Sequence, residues 1–288
     1  MKNLKYVIVG GDQRSAYLAS FLINDNKDVK IIFGQNFKNI IDEKYLSLNW
    51  KDVIKNSDII IFPLPISKDD NHLNVDIDEK IKLEGIVKEI GINKIVVGGG
   101  LTNKIRKIFE EKNINIIDYL NREELAILNA IPTAEGALEI AMNKLPITIY
   151  GSKCLVTGYG RVSKALINVL TALRAKVTVV ARKYGDLAWA KIYGCETELI
   201  NNLDFAVKDK DIIFNTVPYP IIDEHILSNI RKDCLIIELA SKPGGFDLNK
   251  AEENNIQIEM ALGLPGKVAP KTAGRIIKET IDNILAEI

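Results

Sequence analysis

Cysteine and histidine are scarce in this sequence. Its 288 residues include three cysteines and two histidines, and none of them has the spacing of a metal-binding motif. An odd number of cysteines also argues against a disulfide framework. The sequence therefore predicts that the chain has no metal site and works in a reducing compartment. The cytoplasm is the simplest such location.

Net charge and long apolar runs are missing as well. Lysine plus arginine and aspartate plus glutamate both number 38, so the formal net charge is zero. The chain therefore has no basic field that would attract nucleic acid or a membrane surface. Its longest apolar runs, such as residues 59–65, are far too short to cross a bilayer. The N-terminus runs straight into a strand pattern, which predicts that no signal peptide is present.

The composition is that of an ordinary globular protein, arranged as alternating strands and helices. Apolar residues make up 47% and charged residues 26%, as is typical of globular chains. The alternation predicts an α/β fold of two Rossmann-like domains, each a doubly wound parallel sheet, with a cleft between them. Residues 1–131 form the first domain and residues 132–268 the second, and a C-terminal helix at residues 269–288 crosses back to the first.

Local patterns place the elements of the first domain and its connections. Strands are predicted at residues 5–9, 29–33, 58–62, 94–97 and 115–117. Helices are predicted from Gly10-Gly11-Asp12-Gln13-Arg14 through Leu22, and over residues 78–90 and 101–112. The polar residues 67–76 indicate a loop. A connecting helix is predicted over residues 132–145, with Thr133 as its N-cap, and a long helix over residues 268–288.

Residues 153–183, KCLVTGYGRVSKALINVLTALRAKVTVVARK, carry the clearest functional signal. A strand, a glycine turn, a helix and a second strand follow one another at the length of a dinucleotide-binding βαβ unit. Gly158 permits the tight turn, and Gly160 lets the backbone approach a pyrophosphate that faces the free amides of the helix. The predicted cofactor contacts of this turn are Gly158, Tyr159, Gly160, Arg161, Val162 and Ser163.

The end of the second strand indicates which nucleotide binds. An NAD site usually has an acidic residue there for the ribose 2′-hydroxyl, whereas this chain has Arg182 and Lys183. A guanidinium can hold a 2′-phosphate through two charge-assisted hydrogen bonds. The predicted cofactor is therefore NADP, with NAD as the alternative. The alternative is that Arg182 and Lys183 lie in a basic turn that is exposed to solvent and binds no ligand.

Two more segments of the second domain follow predicted strands and so face the expected cleft. Thr216, Val217 and Pro218 follow its fourth strand, where a loop commonly lies against the nicotinamide ribose. Ala240 and Ser241 follow its fifth strand. Both segments are predicted to bind the cofactor.

The first domain is predicted to hold the substrate. Its Gly10-Gly11-Asp12 turn lacks the G-x-G-x-x-G spacing, and Asp12 would put negative charge where a pyrophosphate has to lie. Near the C-terminus, residues 263–274 (GLPGKVAPKTAG) indicate a loop fixed by glycine and proline, with Lys267 and Lys271 placed for an anion. A plain turn with both lysines in water is equally compatible with the spacing.

Four of these motifs together resemble the dipicolinate synthase A-subunit family. They are GGDQR near the start, NAIPTAEGALEIA in the connector, the fingerprint ending in ARK, and GLPGKVAPKTAGRII. The resemblance covers the whole chain and implies an NADP-dependent oxidoreductase of sporulation. Such enzymes convert the dihydrodipicolinate-level intermediate of the lysine pathway to pyridine-2,6-dicarboxylate. The resemblance also implies a smaller flavoprotein-like partner (the B-subunit of dipicolinate synthase), room for a homodimer in the assembly, and the cytoplasm of the mother cell.

The implied substrate is a small dicarboxylate, and each carboxylate needs a cation or several N–H donors. Arg14, Lys267 and Lys271 are the cationic candidates. Thr133, as a hydroxyl donor, and Glu135, as a base, are predicted to complete the site; a helix cap and a first-turn acid are their structural alternatives. The sequence leaves the general base open among Asp12, water and the partner.

Two other interpretations stay open. One is another two-domain dehydrogenase of the methylenetetrahydrofolate or shikimate type, because PGKVAPKT loosely resembles the PGGVGPMT-like loop of the folate enzymes. The first domain, however, has no match to their lysine and tyrosine constellation. The other is an NADP-binding redox sensor without turnover. A DNA-binding sensor is disfavoured, since no basic helix-turn-helix pattern is present.

Overall fold

A computed structural model describes residues 4–288, and the chain divides into two compact units. The first unit is Met1–Leu128 together with Ala269–Ile288, and the second is Asn129–Val268. Each unit has one six-stranded sheet in which every described pair of neighbouring strands is parallel. These two sheets with interleaved helices confirm the predicted α/β fold class.

The first unit alternates strands and helices up to a long helix that leads into the second. Its strands are β1 Lys5–Val9, β2 Asp28–Ile32, β3 Leu46–Ser47, β4 Ile59–Ile61, β5 Ile95–Gly98 and β6 Ile116–Asp118. Its helices are α1 Gln13–Asn24, α2 Trp50–Asn56, α3 Leu83–Val87 and α4 Asn103–Glu110, followed by the long helix α5 Glu123–Lys144.

The second unit repeats this alternation. Its strands are β7 Lys153–Thr157, β8 Lys176–Ala181, β9 Glu196–Leu199, β10 Ile212–Asn215, β11 Leu235–Glu238 and β12 Ile258–Met260. Its helices are α6 Arg161–Ala172, α7 Tyr184–Ile192, α8 Leu203–Ala206, α9 Glu224–Ser228, α10 Leu248–Glu253 and α11 Leu264–Val268. The C-terminal helix α12, Pro270–Ala286, belongs to the first unit.

Both sheets have the strand order of a dinucleotide-binding fold. The order is β3-β2-β1-β4-β5-β6 in the first unit and, read in the same sense, β9-β8-β7-β10-β11-β12 in the second. Each sheet is buried on both faces: Ile8 and Val7 of β1 belong to different apolar clusters, as do Val156 and Leu155 of β7. Continuous β-branched runs form these strands because helices cover both faces of a parallel sheet. The strand order reverses beside β1 and beside β7, where such sheets bind ligands.

The connecting helix is the first element that differs from the prediction. It begins at Glu123 rather than at Pro132, so Pro132 lies inside the helix and Thr133 is not its cap. Pro132 cannot donate a backbone hydrogen bond. The Thr133 hydroxyl instead donates to the carbonyl of Asn129, 2.7 Å away, one turn back. Among the described helices, α5 is long and apolar enough by composition to span a membrane, and a buried core helix passes the same test.

Two further segments also differ from the prediction. The helix predicted at residues 78–90 shrinks to Leu83–Val87, because the residues before it pair with the preceding loop through the His72–Lys82 bridge. Residues 263–274 are mostly helical instead of forming a loop. Pro265 and Pro270 each occupy the first turn of a helix, a position at which proline is tolerated.

Helix α12 packs against α1 through a glycine. A Cβ at Gly274 would lie 2.7 Å from the Arg14 carbonyl oxygen and 2.9 Å from the Tyr17 Cβ. Because the nearest obstacle is backbone rather than a flexible side chain, no larger residue fits without moving a helix. Gly274 therefore fixes the first turns of α1 and α12 at close approach.

Replacing Gly274 with alanine should destabilise the first unit by about 1–3 kcal/mol, the usual cost of overpacking. Urea unfolding followed by Trp50 fluorescence in a Trp189→Phe background measures this, since Trp50 belongs to the first unit and Trp189 to the second. Gly85→Ala is the matched control: Gly85 is also helical, and within residues 4–288 no atom lies within 4 Å of the added Cβ. Equal unfolding midpoints for the two variants would contradict the packing argument.

Candidate functional site

The glycine turn of the second unit is built as the fingerprint predicts. Strand β7 ends at Thr157, and Gly158 follows with φ +82°, a conformation that favours glycine. A Cβ at this position would also lie 3.0 Å from both Thr216 Oγ1 and Val217 Cγ2. Backbone conformation and close packing therefore both require glycine here.

The next glycine leaves the approach to helix α6 open. No atom of the described residues lies within 4 Å of a Cβ built on Gly160. Gly160 directly precedes α6, supplies no side-chain cap, and the first turn of the helix contains no acidic residue. Because Gly160 itself offers the first-turn amides no side-chain acceptor, the helix N-terminus and the positive end of its dipole favour an anion here. The first turn of α6 contains the other predicted contacts: Arg161, which is exposed, Val162, which is half-buried, and Ser163, which is buried.

Tyr159 lines two cavities, one of about 400 Å³ and a larger one of about 720 Å³. The larger cavity has the volume of a cofactor pocket. It is lined by Gly158, Tyr159, Gly160, Ala181, Arg182, Lys183, Asp186, Ile200, Val217, Pro218, Tyr219 and Ile221. Most of the residues predicted to bind the cofactor therefore surround one cavity at the carboxyl edge of the sheet. The residues present fit a dinucleotide.

The end of β8 presents positive charge to this cavity. Arg182 and Lys183 are both exposed and directly follow the strand. Neither side chain has a hydrogen bond or an ion pair with any other residue of the described part of the chain. The acid on the cavity wall, Asp186, lies farther on in the first turn of α7. The geometry thus offers two uncompensated cations where an NAD site usually has a carboxylate.

The two other predicted cofactor segments lie at the ends of β10 and β11. Val217 and Pro218 line the cavity. The hydroxyls of Thr216 and Ser163 lie 2.7 Å apart, which joins this loop to the first turn of α6. Ala240 is buried and Ser241 is exposed; neither is among the residues that line the cavity.

Sequence reasoning missed a row of buried polar side chains under these loops. Thr157, Asn215 and Glu238 end three neighbouring strands and are 0%, 0% and 1% exposed. The Thr157 hydroxyl donates to Asn215 Oδ1 over 2.5 Å, and Asn215 Nδ2 donates to Glu238 Oε1 over 2.8 Å. Burial raises the pKa of Glu238, and hydrogen bonds from its neighbours oppose that rise. Strand register brings the three residues together, a relation that no local motif displays.

The predicted substrate residues of the second unit lie on two helices. Thr133 and Glu135 are two residues apart on α5, and therefore about 200° apart around its axis, on opposite faces. At most one of them faces a given ligand. Lys267 is exposed on α11, and Leu264 and Val268 of this helix each lie 3.1 Å from a Cβ built on Gly136 of α5.

The predicted substrate residues of the first unit are Arg14 and Lys271. Asp12 caps α1 and forms an ion pair with Arg14, whose Nη2 lies 2.6 Å from both Asp12 Oδ2 and the Leu64 carbonyl oxygen. The Arg14 side chain is only 15% exposed, and its ion pair with Asp12 largely compensates its charge. Lys271 is exposed in the first turn of α12, one turn before Gly274, which contacts the Arg14 backbone.

The glycine turn of the first unit is closed, unlike that of the second. A Cβ built on Gly10 would collide with Val75, and one built on Gly11 would lie 2.9 Å from Pro63. The Asp12–Arg14 pair follows at once. This turn therefore lacks the open face of Gly160, although both sheets share one strand order.

Asn129 is a second residue that the sequence analysis did not single out. Its Oδ1 is buried and accepts no hydrogen bond from any residue that the structure describes. It lies one turn before Thr133 on the same side of α5. A buried acceptor without a donor is uncommon, and the sequence offered no signal for it.

Comparisons with known proteins agree with this architecture. The family model of the N-terminal domain of the dipicolinate synthase A-subunit matches residues 5–120. The dipicolinate synthase A-subunit of Bacillus subtilis (strain 168) is 30% identical over 297 residues, which cover 100% of this chain and 98% of that protein.

Solved structures match over nearly the whole chain. The dipicolinate synthase A-subunit from Bacillus halodurans has a TM-score of 0.89 at 29% identity, covering 99% of each chain. A transhydrogenase from Sinorhizobium meliloti has a TM-score of 0.71 at 12% identity, covering 98% of this chain and 93% of that one; this shows a shared fold. Full-length identity confirms the resemblance carried by the four motifs. The chain belongs to the dipicolinate synthase A-subunit family.

Proposed function

We propose that this chain is the NADP-dependent oxidoreductase component that forms dipicolinate from the dihydrodipicolinate-level intermediate of the lysine pathway. The observation that carries the proposal is the 720 Å³ cavity with an open glycine turn and uncompensated Arg182 and Lys183. This cavity lies in a chain that is 30% identical over its whole length to a dipicolinate synthase A-subunit.

The cavity supports NADP over NAD. Gly158, Gly160 and the first turn of α6 hold the pyrophosphate, and Arg182 and Lys183 hold the ribose 2′-phosphate. A fork of guanidinium N–H donors matches phosphate oxygens, and the bond is charge-assisted. With both cations exposed and unpaired within the described chain, binding the phosphate breaks no existing ion pair.

The reaction needs little from the protein beyond positioning. Oxidation of a dihydropyridine ring removes one hydride from a ring carbon and one proton, and an aromatic ring results. NADP⁺, when bound, accepts the hydride. Aromatisation supplies the driving force, so the chain needs no nucleophile, only groups that hold the two carboxylates and accept one proton.

The cationic candidates differ in what they have to offer a dicarboxylate. Lys267 and Lys271 are exposed and form no ion pair within the described chain, so we assign them to the two substrate carboxylates. Arg14 already pairs with Asp12 and contributes N–H donors rather than net charge. Thr133 serves as a hydroxyl donor or Glu135 as a proton acceptor, since α5 turns only one of them toward a given ligand.

We also propose a flavoprotein-like partner, the B-subunit, together with a cytoplasmic location in the mother cell of a sporulating bacterium. The relatives are A-subunits of dipicolinate synthase, which supports a partner of a second kind. That partner supplies the proton acceptor or completes the substrate site, and a homodimer of this chain is compatible with the assembly. On this account the chain alone binds NADPH but turns over slowly.

Titrating the chain alone with NADPH and with NADH, by nucleotide fluorescence, tests the cofactor assignment. We expect saturable binding with NADPH preferred. Adding the partner should raise the rate of dipicolinate formation and leave NADPH affinity unchanged. Tight NADPH binding with no turnover, with or without the partner, would instead favour the redox-sensor interpretation. Full activity without the partner would support the proposed oxidoreductase activity and contradict the proposed need for a second subunit.

A further inference from the structure

The row formed by Thr157, Asn215 and Glu238 crosses the carboxyl edge of the second sheet at the point where its strand order reverses. Asn215 is the register partner of Thr157 on β7 and of Glu238 on β11. The three side chains are buried and joined end to end by hydrogen bonds. They tie together three strand ends, and the loops that follow two of these strands, β7 and β10, line the cavity.

Each member of this row also holds a loop. The Thr157 hydroxyl accepts from the Thr216 amide over 3.3 Å. Asn215 accepts from the Val217 amide over 3.3 Å and donates to the Val217 carbonyl over 3.0 Å. The loop after β10 therefore takes its conformation from the two strand ends beneath it.

Glu238 fixes the second loop in the same way. Its Oε1 accepts from the Ala240 amide over 2.8 Å and its Oε2 from the Gly245 amide over 2.7 Å. A Cβ at Gly245 would collide with the Asn215 side chain, so the loop is pressed onto the row. The donors that face Glu238 are the two amides and Asn215 Nδ2, and two carboxylate oxygens satisfy all of them.

The order of the strands indicates which half of a bound dinucleotide would lie beside these two loops. Arg182 at the end of β8 marks the adenosine side, and the glycine turn after β7 marks the pyrophosphate. The sheet continues as β8-β7-β10-β11. A dinucleotide extended across this edge places its second half over the ends of β10 and β11, above the loops that the row holds.

We propose that Thr157, Asn215 and Glu238 are positioning residues that set the nicotinamide end of the cofactor site through these two loops. The proposal rests on the proposed function, since it takes the cavity as an NADP site. None of the three side chains has to touch the cofactor. Their contribution is the fixed placement of the main chain at residues 216–217 and 240–245.

Two near-isosteric substitutions test this. Glu238→Gln replaces one carboxylate oxygen with an N–H₂ group, which cannot accept a hydrogen bond. One of the two loop amides that donate to Glu238 therefore loses its acceptor. Thr157→Val removes the hydroxyl that joins Asn215 to the Thr216 amide. Thr178→Val is the matched control, because Thr178 is also buried in this sheet, on β8, and bonds to Glu196 and Lys210 rather than to a loop of the site.

The readout is the Kd of two ligands, NADPH and adenosine 2′,5′-bisphosphate, which lacks the nicotinamide half. We expect Glu238→Gln and Thr157→Val to weaken NADPH by about tenfold, the effect of one lost hydrogen bond of about 1.4 kcal/mol. The fragment should bind all variants equally, and Thr178→Val should bind both ligands as the unmodified chain does. Equal weakening of both ligands, or no weakening of NADPH, would overturn the positioning role. If the unmodified chain binds neither ligand, the proposed function itself fails.

Discussion

Replacing Arg182 with aspartate should weaken NADPH binding by about 1.5–3 kcal/mol, or roughly 10- to 150-fold in Kd. The substitution removes a guanidinium from the end of β8 and puts a carboxylate there, which repels a 2′-phosphate and accepts from a ribose 2′-hydroxyl. NADH should bind as well as before or better. Fluorescence titration of both nucleotides gives the two constants directly.

Lys191→Asp is the control for this charge reversal. Lys191 is exposed in the last turn of α7 in the same unit and is not among the residues that line the cavity. It should leave both affinities unchanged, which separates a local contact from a change in overall charge. Unchanged NADPH affinity in Arg182→Asp would rule out the 2′-phosphate assignment and return the basic pair to a solvated turn.

Replacing Lys267 with alanine should lower kcat/KM for the dicarboxylate by roughly 10- to 150-fold, as expected for a lost charge-assisted contact of about 1.5–3 kcal/mol. Lys267 is exposed on the short helix α11, so its removal leaves the position of Leu264 and Val268 beside Gly136 unchanged. NADPH affinity and the unfolding midpoint should stay as they are. Steady-state kinetics of the chain with its partner, and a parallel NADPH titration, measure both.

Lys191→Ala supplies the matched lysine for this experiment. If Lys267→Ala and Lys191→Ala turn over substrate as the unmodified chain does, α11 is purely structural and its lysine lies in water. If Lys267→Ala loses NADPH affinity along with turnover, the lysine acts on the nucleotide instead of the substrate. Either result contradicts the substrate-carboxylate role.

The longer strands and the fingerprint could be predicted because their signals are local, whereas the sequence pattern does not predict the two-residue strand β3. The run before Gly158 is continuously apolar and the run before Arg182 is rich in β-branched residues, and both are strands with the glycine turn and α6 between them. Strand ends differ from the prediction by one or two residues elsewhere, as at β2 and β5. Parallel strands buried on both faces give strong patterns, so the architecture followed from them.

The positions of proline and glycine led to two wrong predictions, the start of α5 and the loop at residues 263–274. The position of Pro132 predicts the start of a helix, whereas α5 begins at Glu123 and continues past Pro132. The Thr133 hydroxyl donates to the Asn129 carbonyl within this helix. Residues 263–274 have the composition of a loop, but their prolines stand in first turns, and Gly274 is there because α1 passes close by. In both places tertiary packing decided the structure, and composition alone could not reveal it.

The site was predictable only where one segment builds it. Gly158, Gly160 and Arg182 come from one βαβ unit and line one cavity. Thr157, Asn215 and Glu238 are far apart in sequence and meet only through strand register. The pairing of Arg14 with Asp12 likewise depends on side-chain conformation, which the sequence does not specify.

The proposed reaction is the oxidation of a dihydropyridine dicarboxylate with NADP⁺. The most direct test supplies the chain, its partner and NADP⁺ with the freshly formed product of dihydrodipicolinate synthase, and then separates the products by chromatography. The separation is needed because dipicolinate absorbs in the ultraviolet near the nucleotide. We expect dipicolinate and NADPH in equal amounts, since each turnover moves one hydride. The appearance of neither product, with both proteins folded and NADPH bound, would contradict it.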